Sequence, residues 1–274
     1  MLDGEGTYGG ASEAVRLADL AAIRLLEHPG DAEKYLRQAI SCGHGTLPAE
    51  HLARLHSQLV MVIAGRPGRE LELAEAAQEA AARWAGISEA DTAHLSFVAA
   101  RALHRAGRHD AAVTAFAAPL DAGAAPYPPA EMALVLGQYG RSLKLLGRDQ
   151  DAAHQFLEAA RLARHDPSHQ QLRAELTMSA AAALDSCGED DQAQLLYLRA
   201  ARLWQEIGQL SKRSRCVRSA AWLQFWADPA DPTGPAALRE LLTELEHLER
   251  TAPSAVVRIE LANTRRQLAD MAEQ

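Results

Sequence analysis

One spacing recurs three times in the middle of the chain and limits its fold more than any other feature. In each copy a small residue is followed by Leu, Gly, Ala and an aromatic residue, usually with a further Ala. The copies are Ala100-Leu103-Gly107-Ala112-Phe116, Gly140-Leu143-Gly147-Ala152-Phe156-Ala159 and Ala181-Leu184-Gly188-Ala193-Tyr197-Ala200. Their glycines lie 40 and 41 residues apart (147−107 and 188−147). A fixed period predicts stacked units that pack mainly on their neighbours.

The composition favours helices as the content of these units. Of the 274 residues, 48% are hydrophobic but only 5% are aromatic, so alanine and leucine supply most of the apolar mass. Both residues are strong helix formers. No segment alternates with period two, and the chain is therefore predicted to be all-α.

Glycines and prolines divide the chain into thirteen amphipathic segments, which predict six antiparallel helix pairs and a final helix. The predicted helices span residues 11–28, 31–42, 48–64, 69–85, 89–106, 109–118, 129–146, 149–164, 168–187, 190–207, 211–227, 235–250 and 254–273.

The repeated spacing has a physical explanation in terms of helix packing. The small residue in the first helix of a pair lets the second helix approach closely. The glycine ends the first helix in a left-handed conformation without steric cost. The alanine and the aromatic residue of the second helix then lie one turn apart on a single face, where the aromatic ring fills the gap to the next pair.

These residues resemble the tetratricopeptide repeat family. The match is best in Gly140 to Ala159, good in Ala181 to Ala200 and partial in Ala100 to Phe116, where Pro119 replaces the late alanine and is expected to end its helix. The repeats are longer than the family's usual length of about 34 residues. The resemblance implies a right-handed α-solenoid. We expect one such domain over 11–274 after a flexible segment over 1–10, with the clearest repeats in 89–207 and degenerate ends in 11–85 and 211–273.

Charge, cysteine content and hydropathy limit the partners and the cellular compartment that we expect for the protein. The net charge of −8 argues against nucleic-acid binding over the whole surface. The three cysteines form no C-x-x-C motif, which favours reduced thiols over a disulfide framework. Residues 1–10 lack the basic start and apolar core of a signal peptide. The longest apolar run, 59–64, is far shorter than the roughly 20 residues that span a bilayer. These features predict a soluble, cytoplasmic protein without a membrane partner.

The basic residues point to the protein's origin. Lys34, Lys144 and Lys212 are the lysines, so arginine supplies 25 of the 28 basic side chains (28−3). With the abundant alanine, this bias predicts a bacterial protein from a GC-rich genome.

The resemblance further implies that a peptide binds in a groove lined by the first helix of each pair. In register with the turn glycines, the residues predicted to contact a partner are His94, Phe97, Arg101, Arg105, Arg141, Lys144 and Met178. Arg101 and Arg141 occupy the same position one repeat apart. With Arg105 and Lys144 they would form a wall of four cations, which suits an acidic peptide or a chain terminus. The alternative is a solvated face whose charges pair with neighbouring helices.

Two other clusters each carry two interpretations. The basic residues Arg199, Arg202, Lys212, Arg213, Arg215 and Arg218 would bind an anionic partner or, as we favour, form ion pairs with the acidic helix that contains Glu240, Glu244, Glu246 and Glu249. The aromatic residues Trp204, Trp222, Phe225 and Trp226 would form core at the C-terminal end, which we favour, or a dimer interface, with Trp226 the most exposed.

No motif predicts catalysis. Glu244-x-x-His247 has the spacing of one half of a di-iron site, but the second Glu-x-x-His is missing. The chain has no glycine-rich phosphate loop, no G-x-S-x-G and no H-E-x-x-H. No metal, no cofactor and no enzymatic activity are predicted.

The sequence therefore predicts a protein–protein interaction scaffold that binds a peptide or a partner segment in its groove. The alternative is a regulatory protein of a bacterial signalling or transcription pathway, which senses a ligand or peptide in the same groove. A third hypothesis is a homodimer formed through the Trp222–Trp226 end.

Overall fold

The computed structural model describes residues 5–273, except for the side chains of residues 5–8 and His165. This range contains thirteen α-helices and, between α8 and α9, two short 3₁₀ turns. The helices are α1 (Glu5–Arg24), α2 (Pro29–Gly43), α3 (Ala49–Ala64), α4 (Glu70–Trp84), α5 (Glu89–Arg105), α6 (His109–Asp121), α7 (Pro129–Leu145), α8 (Asp149–Leu162), α9 (Gln170–Ser186), α10 (Asp190–Glu206), α11 (Leu210–Ala227), α12 (Thr233–Thr251) and α13 (Ala255–Ala272).

The predicted all-α architecture and the number of helices are confirmed for this range. Three helix ends need correction, one of which is the end of the first helix, at Arg24 instead of 28. The first helix begins at Glu5 rather than at 11, within the segment expected to be flexible, of which residues 1–4 lie outside the described range. Helix α6 continues through Pro119 to Asp121 instead of ending at 118. Pro119 lies in the last turn of α6, where its missing N–H costs a single hydrogen bond, and its carbonyl accepts one from the N–H of Ala124.

The helices fall into two compact units, one up to Pro128 and one from Pro129 onward. In the first unit each helix from α1 to α6 packs on the next, and in the second unit the same holds from α7 to α13. Helix α11 also packs on α13. The short connections make consecutive helices antiparallel neighbours. No helix within residues 5–273 has the length and apolarity needed to cross a bilayer.

The turn glycines adopt the conformation that their spacing predicts. Gly107, Gly147 and Gly188 have φ values of 72°, 73° and 79°. After each one, the next residue's N–H donates to the carbonyl of the repeat leucine, for example Arg148 to Leu143 at 2.9 Å. The glycine N–H donates to the residue after that leucine, as in Gly147 to Lys144 at 3.0 Å. These bonds are those of a Schellman motif, which satisfies carbonyls left free at the helix end.

The repeat's small residue and aromatic residue meet within one helix pair. A β-carbon placed on Gly140 of α7 would lie 2.8 Å from Cε1 and 2.9 Å from Cδ1 of Phe156, a buried residue of α8. The predicted close approach of the two helices is therefore confirmed here, because the ring occupies the space that a side chain would need. The space beside Gly137, one turn earlier, is occupied in the same way by Leu176 of α9, whose Cδ2 would lie 2.9 Å from an added β-carbon.

We expect the Gly140→Ala variant to destabilise the protein by about 1–2 kcal/mol, because the overpacking against Phe156 outweighs the gain in helix propensity. Urea unfolding would measure the change. Gly30→Ala is the matched control, since no atom of the described residues lies within 4 Å of a β-carbon at Gly30. Adding Phe156→Leu to Gly140→Ala should recover part of the loss. A Gly140→Ala variant as stable as the parent would show that the ring can move aside.

A buried carboxylate ties three elements of the first unit together. Glu33 of α2 is 8% exposed and accepts hydrogen bonds from Arg37 at 2.9 Å, Arg66 at 2.6 Å and Arg69 at 2.6 Å. Glu72 of α4 pairs with Arg37 and Arg69 at 2.6 Å and 2.5 Å. The hydrogen bonds from Arg69, opposed by burial and aided by Arg37, lower the pKa of Glu33 from 4.5 to about 2.

Because the pKa of Glu33 is lower in the folded protein, its stabilisation is present above pH 4.5 and is lost as the pH falls towards 2. We expect Glu33→Gln to lower the unfolding free energy at pH 7 by roughly 2 kcal/mol, a value reduced for the partial exposure of its arginines. The difference from the parent should shrink between pH 4.5 and pH 2 in urea titrations. Glu13→Gln, which removes an exposed ion pair with Arg16, is the control and should change nothing measurable. A constant difference at every pH would contradict this account.

Candidate functional site

A cavity of about 400 Å³ in the second unit combines charged, polar and aromatic side chains. Its wall is built from α9, α11 and α13, which are alternate helices of the chain and correspond to the first helices of successive pairs. The lining residues are Asp185, Arg215, Arg218, Ser219, Trp222, Leu223, Asn263, Arg266, Gln267 and Asp270.

Helical spacing explains why these residues share one cavity. On α11 the lining positions 215, 218, 219, 222 and 223 follow the i, i+3, i+4, i+7 and i+8 pattern, and on α13 positions 263, 266, 267 and 270 do the same. Residues at this spacing lie on one face of a helix. Because α11 packs directly on α13, their two faces border the same space.

One of the lining arginines is fixed by an ion pair inside the protein. Arg218 of α11 bonds to Glu260 of α13, and the two side chains are only 13% and 5% exposed. Glu260 also accepts a hydrogen bond from the Ser211 hydroxyl at 2.7 Å, and the Gln267 amide donates to the Arg218 carbonyl at 2.8 Å. Arg218 therefore holds α11 against α13 and has little freedom to meet a ligand.

A second charged group at the cavity is also held in place. The Tyr197 hydroxyl of α10 donates to the carboxylate of Asp185 at 3.1 Å. Burial, together with the negative charge of Asp185, raises the pKa of Tyr197, so this hydroxyl keeps its proton at physiological pH. Asp185 is thus oriented from behind the cavity.

Four polar side chains in the cavity make no hydrogen bond or ion pair within the described part of the chain. They are Arg215, Asn263, Arg266 and Asp270. Trp222 and Leu223 lie beside them as the apolar part of the wall. Two guanidinium groups next to an indole ring suit a carboxylate that is attached to an apolar or aromatic group.

Comparison with known proteins clarifies the fold. The structure of the apo form of RapI is similar over 94% of this chain and 99% of that chain, with 10% sequence identity and a TM-score of 0.54. A signal-transduction ATPase with numerous domains and a tetratricopeptide repeat sensor, from Pyrococcus horikoshii, matches 96% of this chain and 41% of that chain, at 14% identity and a TM-score of 0.50. This chain has a tetratricopeptide-type α-solenoid fold. No protein-family model matches the sequence, and no curated protein matches it at a significant level.

The tetratricopeptide register places four predicted binding residues on α5 of the first unit. Phe97 is fully buried, so its prediction as a partner contact is wrong; its ring packs 6.0 Å from that of Tyr127 and belongs to the core. His94 is exposed, but its Nδ1 lies 2.8 Å from the Tyr127 hydroxyl. Arg101 is half-buried and its Nε has no hydrogen-bond partner in the described residues, while Arg105 is exposed.

The other three predicted binding residues lie in the second unit. Lys144 donates to Asp149 at 2.8 Å, to the Ala182 carbonyl at 3.1 Å and to the Ser186 hydroxyl at 2.9 Å, so it joins α7 to α9. Arg141 is exposed as a residue. Desolvation of its guanidinium group lowers the pKa of Arg141, while the negative charge of Glu175 acts in the opposite direction. Met178 is half-buried. The wall of four cations stays a prediction, since Arg101 and Arg105 belong to one unit and Arg141 and Lys144 to the other.

The second basic cluster divides between ion pairs and free cations. Arg213 forms a two-pronged pair with Glu244 at 2.5 Å and 2.8 Å, as the ion-pair hypothesis predicts. Lys212 instead pairs with Glu175 of α9 at 2.7 Å, and Arg218 pairs with Glu260. The remaining members, Arg199, Arg202 and Arg215, are exposed.

The aromatic cluster is mainly core, as predicted. Trp204 is fully buried and Phe225 is 4% exposed, whereas Trp226 is 52% exposed. Trp222 packs edge-on against Trp226 at 5.8 Å between ring centroids. The cluster therefore supports the apolar wall of the cavity from one side.

Sequence reasoning missed the contribution of α13. Asn263, Arg266, Gln267 and Asp270 received no role, because the repeat has faded at this end of the chain. Their polar i, i+3, i+4 and i+7 spacing on a terminal helix is the one signal that would have identified them. No group of three or more His, Cys, Asp or Glu side chains among the described residues is arranged to hold a metal ion.

We expect Arg218→Ala to destabilise the protein by about 3 kcal/mol, since it leaves the Glu260 carboxylate buried and unpaired. Arg215→Ala, which removes an exposed arginine from the same helix, should stay within about 0.5 kcal/mol of the parent. Urea unfolding of both variants and of Arg218→Ala/Glu260→Ala would measure the coupling. If Arg218→Ala and Arg215→Ala have equal effects, the ion pair has no structural role.

Proposed function

We propose that this protein is a protein-interaction module that binds a peptide, or an extended segment of a partner protein, in the cavity formed by α9, α11 and α13. One observation carries the proposal: Arg215 and Arg266 share this cavity with Trp222, and neither arginine has an acidic partner within the described residues. Structural charges in the same region are paired, so two unpaired guanidinium groups next to an indole are available for a ligand.

The chemistry of the cavity specifies the ligand. A carboxylate, from an acidic side chain or a chain terminus, would bind between Arg215 and Arg266. An adjacent apolar side chain would cover Trp222 and Leu223. Asn263 and Asp270 at the same wall would accept hydrogen bonds from backbone N–H groups of an extended peptide. In this proposal the protein acts by recognition and not by catalysis.

A regulatory role is the second candidate. The Pyrococcus horikoshii ATPase carries its tetratricopeptide repeats as a sensor, and the fold is shared. A sensor of this kind would bind its ligand in the same cavity and pass a change of helix packing through α11 and α13 to a partner protein. The third candidate, a homodimer through Trp222 and Trp226, is supported by the 52% exposure of Trp226 and would give a doubled mass in light scattering.

Peptide selection tests the proposal directly. A random peptide display library is selected on the parent protein and on Arg215→Ala/Arg266→Ala, and binding of the enriched peptides is measured by calorimetry. We expect enrichment of peptides with a carboxylate next to an aromatic or aliphatic residue. The double variant should bind these peptides at least tenfold more weakly, because two charge-assisted hydrogen bonds are lost.

The matched control is Arg199→Ala/Arg202→Ala, which removes the same charge from exposed positions on α10 outside the cavity. It should bind the selected peptides as the parent does. Equal enrichment and equal affinity for the parent and for Arg215→Ala/Arg266→Ala would overturn the proposal. Arg101→Glu and Arg141→Glu, tested on the same peptides, show whether the groove predicted from the sequence takes part.

A further inference from the structure

A second cavity, in the first unit, has a chemistry opposite to that of the peptide site. It measures about 350 Å³ and lies among α2, α3 and α4, consecutive helices that pack on one another. The lining residues are Arg37, Ile40, His56, Leu59, Ile63, Glu72, Glu75, Ala76 and Glu79.

The cavity has an apolar floor. Leu59 and Ile63 of α3 are 7% and 1% exposed, and Ile40 of α2 and Ala76 of α4 are half-buried beside them. A floor of this kind accepts an aliphatic chain, because each buried methylene group contributes favourably to binding.

One wall of the cavity is acidic. Glu72, Glu75 and Glu79 occupy positions i, i+3 and i+7 of α4, so their carboxylates line up along one face. Glu72 is neutralised by Arg37 and Arg69, and Glu79 pairs with Arg83 at 2.6 Å. Glu75 is exposed and has no cationic partner in the described residues. Glu75 is therefore the unpaired carboxylate of this wall, beside a network in which Arg37, Arg66 and Arg69 pair with Glu33 and Glu72.

A buried histidine completes the cavity. Only 9% of the His56 surface is exposed, and its ring makes no hydrogen bond within the described part of the chain. Burial lowers the pKa of His56, so the ring is neutral at physiological pH and presents a nitrogen lone pair as a hydrogen-bond acceptor. The ring nitrogens have no partner in the described residues and are not sealed off from the cavity, so they are free to accept a hydrogen bond from a donor that enters it.

We propose that this cavity binds a primary ammonium group carried on an unbranched aliphatic chain, the chemistry shared by a partner protein's lysine side chain and a free aliphatic diamine. The ammonium group donates to Glu75 and to His56, with Glu79 at the same wall. The aliphatic chain covers Leu59, Ile63 and Ile40. This site is separate in sequence and in charge from the peptide site of the second unit, and it goes beyond the proposed function.

Titration calorimetry on the full chain tests the site with cadaverine, and with Nα-acetyl-lysine N-methylamide as a stand-in for a partner's lysine. 1-Pentanol and pentanoate, which share the aliphatic chain but lack the positive charge, are the comparison ligands. We expect both amines to bind and the comparison ligands to bind at least fivefold more weakly. The tighter of the two amines identifies the source of the ammonium group.

The variant Glu75→Gln/Glu79→Gln should weaken amine binding by about five- to tenfold, since two carboxylates at a solvent-accessible wall each contribute a modest attraction. Glu50→Gln is the matched control, because it removes another ion pair of i, i+4 spacing, with Arg54, outside the cavity. His56→Leu, checked by thermal unfolding, should weaken binding further by removing the acceptor.

Equal binding of pentanol and cadaverine, or no binding of either amine, would overturn the proposal. Loss of binding in Glu50→Gln to the same extent as in Glu75→Gln/Glu79→Gln would do so as well. Arg215→Ala/Arg266→Ala should bind the amines as the parent does, which separates the outcome for this cavity from the outcome for the peptide site.

Discussion

The contact on which the rest of the structure depends is the close approach of two helices within a pair. In the clearest repeat this approach is possible because Gly140 has no side chain, so the ring of Phe156 lies where a β-carbon would be. Ala100 and Ala181 occupy the corresponding first-helix positions and are fully buried. Since a unit of this kind packs mainly on its neighbours, the geometry of one pair sets where the next begins.

In the second unit, the basic side chains that hold helices together differ from those available for binding in having an ion-pair partner. Arg218, Arg213 and Lys212 all pair with carboxylates from other helices, and these pairs hold α9, α11, α12 and α13 in register. The Arg218–Glu260 pair is the buried one of the three and is costly to break, because the remaining partner would have lost its hydration. Arg215 and Arg266 differ in having no such partner among the described residues. The contrast between paired and unpaired arginines, more than the number of basic residues, supports the proposed peptide site.

Much of the fold was predictable from the chain alone, and less of the site. The helix-ending glycines and the repeat spacing placed most helix boundaries within a few residues, because these are local effects of backbone conformation and capping. Pro119 was misjudged, since a proline in the last turn of α6 loses only one hydrogen bond. Phe97 was assigned to the groove although it is core, because register identifies a helix face but not the loop that covers it; Tyr127, from that loop, packs on it.

What the sequence by itself determined is the all-α repeat architecture, through a spacing that recurs in three helix pairs and through glycines whose left-handed conformation ends the helices. It also identified Trp226 as the exposed member of the aromatic cluster. Only the tertiary structure decided which charges are available. Lys144 looks like a free cation in the sequence, yet Asp149 holds it, and Arg218 pairs with Glu260 of α13 and not with the acidic helix that the sequence favoured. The physical reason is that an ion pair between helices depends on distances of a few ångströms between residues far apart in the chain, and local periodicity does not encode these distances.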